Sequence, residues 1–285
     1  MLNELYHALN PIAFSCGPIT IYWYGLAYVV GATLTAAVAW RTIKRWKLSI
    51  TVDDLFSIVI GAVFGMIIGA LLFYCLFYGD GFYFSHPSEI FAINKGGMSF
   101  HGGFVGACIG GALICKRLRI SMLTTADFAV IGAPLALMLG RCANFVNGEL
   151  WGKPTNLPWG VVFETGGNIA RHPSQLYEAF LEGLVLFVIL YVLSCRKKPL
   201  SQGSYIGTFA ILYGVFRFCI EFIRVPDAQL GYLFGPITMG QLLSIPIILV
   251  GIGFLIFAYK TRRPQQDYLD DYQKDARVTA VDDNH

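Results

Sequence analysis

Apolar residues run along this chain in seven blocks separated by polar connections, at roughly residues 19–40, 55–77, 100–115, 123–139, 176–193, 205–223 and 237–259. A helix that crosses a bilayer needs about 20 mostly apolar residues. The pattern therefore predicts an all-α polytopic membrane protein with about seven transmembrane helices, the third and fourth blocks being short for that role. Residues 1–260 read as a single transmembrane domain, and the polar stretch 261–285 as a disordered tail. Two connections, 78–99 and 140–175, are rich in Gly, Pro and aromatic residues, too polar to span and too turn-prone to be tethers. They predict a small extracytoplasmic cap. Within it Pro87-Ser88-Glu89 reads as the start of a short interfacial helix beside Tyr83 and Phe84, and Pro158 to Phe163 as a short strand.

Composition strengthens the membrane reading. Charged residues make up 14% of the 285 positions and hydrophobic ones 55%, where soluble domains carry about a quarter charged. Ten of the charges fall in the last 25 residues, which leaves the body too apolar for a water-facing surface. Seven cysteines in a chain of this length are too sparse for a disulfide-stapled secreted module. The net charge of +3 is spread between apolar blocks, so no nucleic-acid partner is expected.

The placement of the basic residues sets an orientation. Arg41, Lys44, Arg45 and Lys47 follow the first block, Lys116, Arg117 and Arg119 the third, Arg196, Lys197 and Lys198 the fifth, and Lys260, Arg262 and Arg263 the seventh. Basic residues mark cytoplasmic connections. The amino terminus is therefore expected outside and the carboxyl terminus in the cytoplasm. Residues 1–18 lack a basic leader region, so the first block is expected to remain as a span.

Ionisable groups at bilayer depth cost about 3 kcal/mol or more and are functional candidates by default. Three groups stand out, all toward the outer face. His101 opens the third block next to Gly102 and Gly103, where the helix dipole keeps an imidazole able to accept a proton and the glycines would admit a substrate. Arg141 is followed by Asn144, Asn147 and Glu149, just past the fourth block; arginine offers a planar fork for phosphate, and amides add hydrogen bonds without charge. Arg217, Glu221 and Arg224 fall at i, i+4 and i+7, one helical stripe. That stripe is equally readable as an ion pair that only pins helices together. His172 opens the string Arg171 to Glu178, in which Pro173 suggests a helix entry, and Gln175 and Tyr177 are candidates for substrate contact. No His or Cys pair has metal-ligand spacing, and no metal or other cofactor is expected.

Several strings resemble one family. Gly140 to Gly152 (GRCANFVNGELWG) resembles the signature of bacterial prolipoprotein diacylglyceryl transferases, and GGMSFHGG (96–103), RHPSQLYE (171–178), FRFCIEFIRVPD (216–227), MGQLLSIP (239–246) and YWYG (22–25) are similar to further blocks of that family, in its order. The similarity covers roughly residues 11–260. It implies an enzyme of the bacterial inner membrane, with its site toward the outer face, that moves a diacylglyceryl group from phosphatidylglycerol to the lipobox cysteine of preprolipoprotein signal peptides and releases glycerol phosphate. By the resemblance Tyr24, His101, Arg141, Asn144, Glu149, Arg217, Glu221 and Arg224 match positions the family treats as functional. The chain departs from many members at Tyr22, where they carry His, and at Ile67 and Ala70, where they carry Arg and Tyr.

The chemistry suits these residues: a thiol must lose its proton, attack a glyceryl carbon and expel a phosphate. His101 is the expected base or the group that orients it, Arg141 and Arg217 the phosphate clamp, and Asn144, Glu149 and Glu221 positioning partners. The rival class is a membrane permease or lipid-binding protein, which should carry polar groups near the midplane in repeat-related broken helices. An intramembrane peptidase would need paired Asp, and Asp127 has no mate.

Overall fold

The computed structural model describes residues 1–17, 19–77, 83, 99–226, 232–234 and 237–268. The interfacial helix expected at Pro87 and most of the 78–99 connection lie outside the described residues, as does the tail beyond Tyr268. In chain order the elements are α1 (Leu2–Ala8), β1 (Ile12–Cys16), β2 (Ile19–Tyr22), α2 (Trp23–Arg45), α3 (Val52–Phe77), α4 (Phe100–Arg117), α5 (Met122–Val146), β3 (Val161–Val162), β4 (Ala170–Arg171), α6 (Ser174–Ser194), α7 (Ser204–Ile220), β5 (Tyr232–Phe234), β6 (Ile237–Thr238) and α8 (Met239–Thr261).

Every apolar block contains a helix. Five of the helices, α2, α3, α5, α6 and α8, are long and apolar enough to cross a membrane. The other two, α4 and α7, are 18 and 17 residues long. Large apolar side chains stand outward on these helices, such as Phe56, Phe64 and Ile68 on α3 and Leu249 and Val250 on α8, as a lipid-facing surface requires. The chain is a polytopic membrane protein.

Two expectations are corrected. Residues 19–22 begin no helix: Ile-Thr-Ile-Tyr alternates with period two and pairs antiparallel with β1. The fourth helix does not stop near residue 139 but runs to Val146, so Arg141 and Asn144 lie on its final turns instead of in a loop. The secondary structure is also not purely helical. Three short antiparallel pairs, β1-β2, β3-β4 and β5-β6, accompany the helices, and β3 falls inside the strand expected between Pro158 and Phe163.

The chain divides into two compact units. The first comprises residues 1–46 and 126–265. Within it Gly31 of α2 meets Ala136 of α5, and Gly183 of α6 meets Met138, contacts with no room for a β-carbon. Tyr6 of α1 packs edge-on against Phe145 and Phe163, with Val161, Leu2, Trp151 and Leu176 around them. At the other end of the helices the buried Asp127 accepts hydrogen bonds from the backbone N–H groups of Gly203 (2.7 Å), Tyr205 (3.1 Å) and Ile206 (3.0 Å) and from the Gln265 amide (2.7 Å). A helix start leaves four N–H groups without intrahelical partners, and Asp127 takes two of those of α7, Tyr205 and Ile206, together with that of Gly203 just before it, from another helix.

The second unit comprises residues 47–125 and 266–285, the latter described as far as Tyr268. Gly61, Gly65 and Gly69 of α3 face Gly110, Gly106 and Gly102 of α4, so the two backbones touch. Gly102 therefore serves helix packing, its β-carbon position being taken up by Phe73 and the Gly69 carbonyl, and the substrate access expected there is reassigned. The stretch 266–268 is ordered: the Asp267 carboxylate accepts from the Ser49 N–H at 2.8 Å, and Tyr268 donates to Asp54 at 2.6 Å.

Candidate active site

Inside the first unit the polar residues singled out from the sequence gather at one end of α5, α6 and α7. Arg141 projects from the penultimate turn of α5. Arg217 stands on the last turn of α7, whose backbone continues past Glu221, the Arg224 N–H still reaching the Ile220 carbonyl at 3.0 Å. The predicted stripe is real: Arg217 Nη2 lies 2.5 Å from Glu221 Oε1, and Arg224 Nη1 lies 3.2 Å from the same oxygen.

Two carboxylates that the sequence reading did not place in the site complete it. Glu178 Oε2 lies 2.6 Å from Arg141 Nε, and Glu178 Oε1 lies 3.4 Å from Arg217 Nη1 and 3.8 Å from Arg224 Nε. The Arg141 contact is a close ion pair whose angles fall outside hydrogen-bond geometry. Glu182, one turn further along, sits 3.9 Å from Arg141 Nη2. Both carboxylates are fully buried, whereas Arg141 keeps 21% of its side chain exposed and Arg217 12%. A ligand therefore meets the arginines first. The signal was present in the sequence as two Glu four residues apart in an otherwise apolar block.

Directly after Glu178 α6 departs from α-helical geometry: Ala179–Val185, which contains Glu182, is a π-helical segment. Such widened turns are frequent at functional sites.

Glu221 is held from the far side by α8. Thr238 donates to its Oε2 at 2.5 Å, and Thr238 also caps α8 in a reciprocal box with Gln241. Gly240 leaves room for the carboxylate, which gives the MGQ string a physical role.

A second polar group surrounds Glu149. Its Oε1 accepts from Asn144 Nδ2 at 2.8 Å and Asn147 Nδ2 at 3.3 Å, so both amides are used to aim one carboxylate. Gln175 fixes the same residue by donating from Nε2 to the Glu149 carbonyl at 2.5 Å, and Ser174 donates to the next carbonyl, Leu150, at 2.9 Å. Gly148 takes a left-handed φ of 67°, with Tyr6 where its side chain would stand.

Tyr24 shares a 2.9 Å hydrogen bond with Tyr28, which lies within electrostatic reach of Arg141 and Glu149. Tyr177 turns elsewhere: its hydroxyl accepts from Trp159 Nε1 at 2.7 Å and meets His172 Nδ1 at 3.3 Å. Burial holds the His172 imidazole below the ordinary histidine range, which favours the neutral ring. The segment carrying it is stitched to the end of α7, the Gly152 N–H reaching the His172 carbonyl at 2.9 Å and the Lys153 N–H the Ile223 carbonyl at 2.8 Å. Gly152 has no space for a β-carbon between His172 and Ile223.

His101 belongs to the second unit. It is the second residue of α4 and its side chain is exposed, with Ser99 capping the helix by accepting from the Gly102 N–H at 3.4 Å. At the departures from the family pattern, Tyr22 is half exposed at the end of β2, Ile67 is 37% exposed and Ala70 is buried. Among the described residues no three His, Cys, Asp or Glu side chains gather as metal ligands.

The arrangement offers forked cations to an anionic ligand, backed by buried carboxylates and flanked by an aimed carboxylate with two amides. Known proteins agree on its family. A protein 43% identical over 254 residues, 89% of this chain and 97% of the relative, is the phosphatidylglycerol–prolipoprotein diacylglyceryl transferase of Geobacter sulfurreducens. Proteins of the same name from Methylococcus capsulatus and Pseudomonas fluorescens are 46% and 44% identical, over 90% and 91% of this chain and 98% and 97% of their own lengths. With the family model for prolipoprotein diacylglyceryl transferase matching residues 11–257, the chain belongs to that family.

Proposed function

We propose that this chain transfers the diacylglyceryl group of phosphatidylglycerol to the thiol of a prolipoprotein's lipobox cysteine, the first step of bacterial lipoprotein maturation. The observation that carries the reading is the convergence of Arg141, Arg217 and Arg224 around Glu178 in a chain of this family. The thiol loses its proton, the sulfur attacks the glyceryl carbon bonded to the phosphate oxygen, a C–S bond forms and the C–O bond breaks. The electron pair stays on the oxygen of the departing glycerol phosphate. Arg141 and Arg217 meet that growing charge with hydrogen-bond donors already in place, in surroundings where such contacts are strong. Asn144, Glu149 and Glu221 hold the donors in position, Asn147 and Gln175 support Glu149, and Tyr24 and Arg224 complete the polar wall. His101 accepts the thiol proton or orients the group that does.

In this reading the seven apolar helices all span the bacterial inner membrane, α4 and α7 being short spans. Residues 1–260 act as one catalytic domain followed by a cytoplasmic tail, with the amino terminus outside. The basic residues of alternate connections support that orientation. The arginine cluster is assigned to the outer face, on the side where the 78–99 and 140–175 connections are expected. A permease or lipid-binding protein would have no use for a thiol substrate. Purified protein incubated with phosphatidylglycerol vesicles and a lipobox peptide should add one diacylglyceryl mass to the peptide at its cysteine; an unmodified peptide would refute the activity.

A further inference from the structure

Glu178 touches all three arginines of the cluster, and it does so from a helix that carries none of them. Its two oxygens are divided. Oε2 engages Arg141 at Nε, 2.6 Å away, while Oε1 faces Arg217 Nη1 at 3.4 Å and Arg224 Nε at 3.8 Å. Arg141 Nη2 stays 3.9 Å from Glu182, beyond hydrogen-bond reach, and the side chain keeps 21% of its surface exposed, so its Nη groups are left to serve as the fork that matches two phosphate oxygens. Arg217 is held differently, with Nη1 toward Glu178 and Nη2 against Glu221. Three guanidinium groups this close repel one another unless a carboxylate stands between them. Glu178 is fully buried at the point where α6 widens into its π-helical segment. It is therefore shielded from a ligand that the partly exposed Arg141 can reach.

We propose that Glu178 is a positioning residue that aims Arg141 and Arg217 at the phosphate and never touches the lipid itself. The proposal rests on the transferase reading above. A residue of this kind sets the rate of the step in which phosphate gains charge, not the affinity for the ground-state lipid.

The test is steady-state kinetics on phosphatidylglycerol vesicles with the parent, Glu178→Gln, Glu178→Asp, Arg141→Gln and the Glu178→Gln/Arg141→Gln pair, with thermal melting alongside. Glu178→Gln should lower kcat by about thirtyfold or more with KM within about threefold, and the double variant should lose clearly less than the product of the two single losses, because the part of the effect exerted through Arg141 is already gone and only the part through Arg217 remains. Glu178→Asp keeps the charge but withdraws the carboxylate, and should fall between the parent and Glu178→Gln. Should Glu178→Gln fail to accumulate, the folded Glu178→Asp protein decides, a reduced kcat at unchanged KM supporting the proposal. An active Glu178→Gln, multiplying losses in the double variant, or a loss seen in KM alone would each overturn it. An inactive parent would count against the transferase reading itself, and an active parent with an equally active Glu178→Gln against the positioning role only.

Discussion

The carboxylate of Glu221 occupies the space that a β-carbon on Gly240 would need. Glu221 in turn bonds Thr238, Arg217 and Arg224, so the first turn of α8 sets where two of the three arginines stand. Gly240→Ala should push Glu221 off its partners. Overpacking of this kind costs about 1–3 kcal/mol, and the transfer rate should fall by about tenfold or more as Arg217 loses its support. Thermal melting and peptide mass analysis on the same preparation check it; a variant with parental rate and melting temperature would show that the fit at Gly240 is not required.

Arg141 and Arg217 test the clamp directly. Removing either leaves negative charge poorly compensated at a site of low dielectric, at a cost of several kcal/mol. Arg141→Lys keeps the charge without the fork and should recover only part of the rate. Arg217→Gln also leaves Glu221 with one cation fewer, so protein level must be followed beside activity. A well-folded Arg→Gln variant that transfers lipid within about threefold of the parent, a difference of less than about 0.7 kcal/mol, would make that arginine structural.

In the proposed mechanism side chains alone supply what the transfer needs: a proton acceptor, cations on the phosphate and an apolar enclosure. Strong chelators should leave peptide modification unchanged. Activity lost to a chelator and restored by one particular divalent ion would sink the proposed mechanism.

Orientation can be read with reporter fusions. A reporter joined after Lys47 or after Lys198 should report cytoplasm, and one after Trp159 the outside, because basic residues flank the first two positions. The reverse pattern would invert the membrane face to which the arginine cluster is assigned.

Much of this was legible in the sequence because bilayer helices announce themselves by length and apolarity, and all seven blocks hold helices. The stripe Arg217, Glu221, Arg224 was readable from helical spacing alone. Arg141 was misplaced because hydropathy falls at Gly140, although a helix supported by packing continues through polar residues to Val146. From the sequence Glu178 reads only as the last of the polar groups that Ser174 to Glu178 present to the fifth block, and Glu182 is diluted by the apolar residues around it; only the three arginines arriving from other helices make the pair conspicuous. α1 and the β1-β2 pair were invisible because a short helix and a two-stranded ribbon derive their order from packing instead of local propensity.

The π-helical segment Ala179–Val185 also fixes a rotational phase. At the Ser174 end of α6, Glu178 faces the arginines; at the Ser194 end, Ser194 and Tyr191 accept hydrogen bonds from Arg45 at 2.8 and 3.0 Å. Both engagements depend on the angle between the two ends, and each residue of an α-helix turns about 100°. Deleting a single residue from the segment would restore regular helix and swing one end out of register with its partners. The helix thus behaves as a key with bits cut at both ends, in which length can be altered only by amounts that return the same phase.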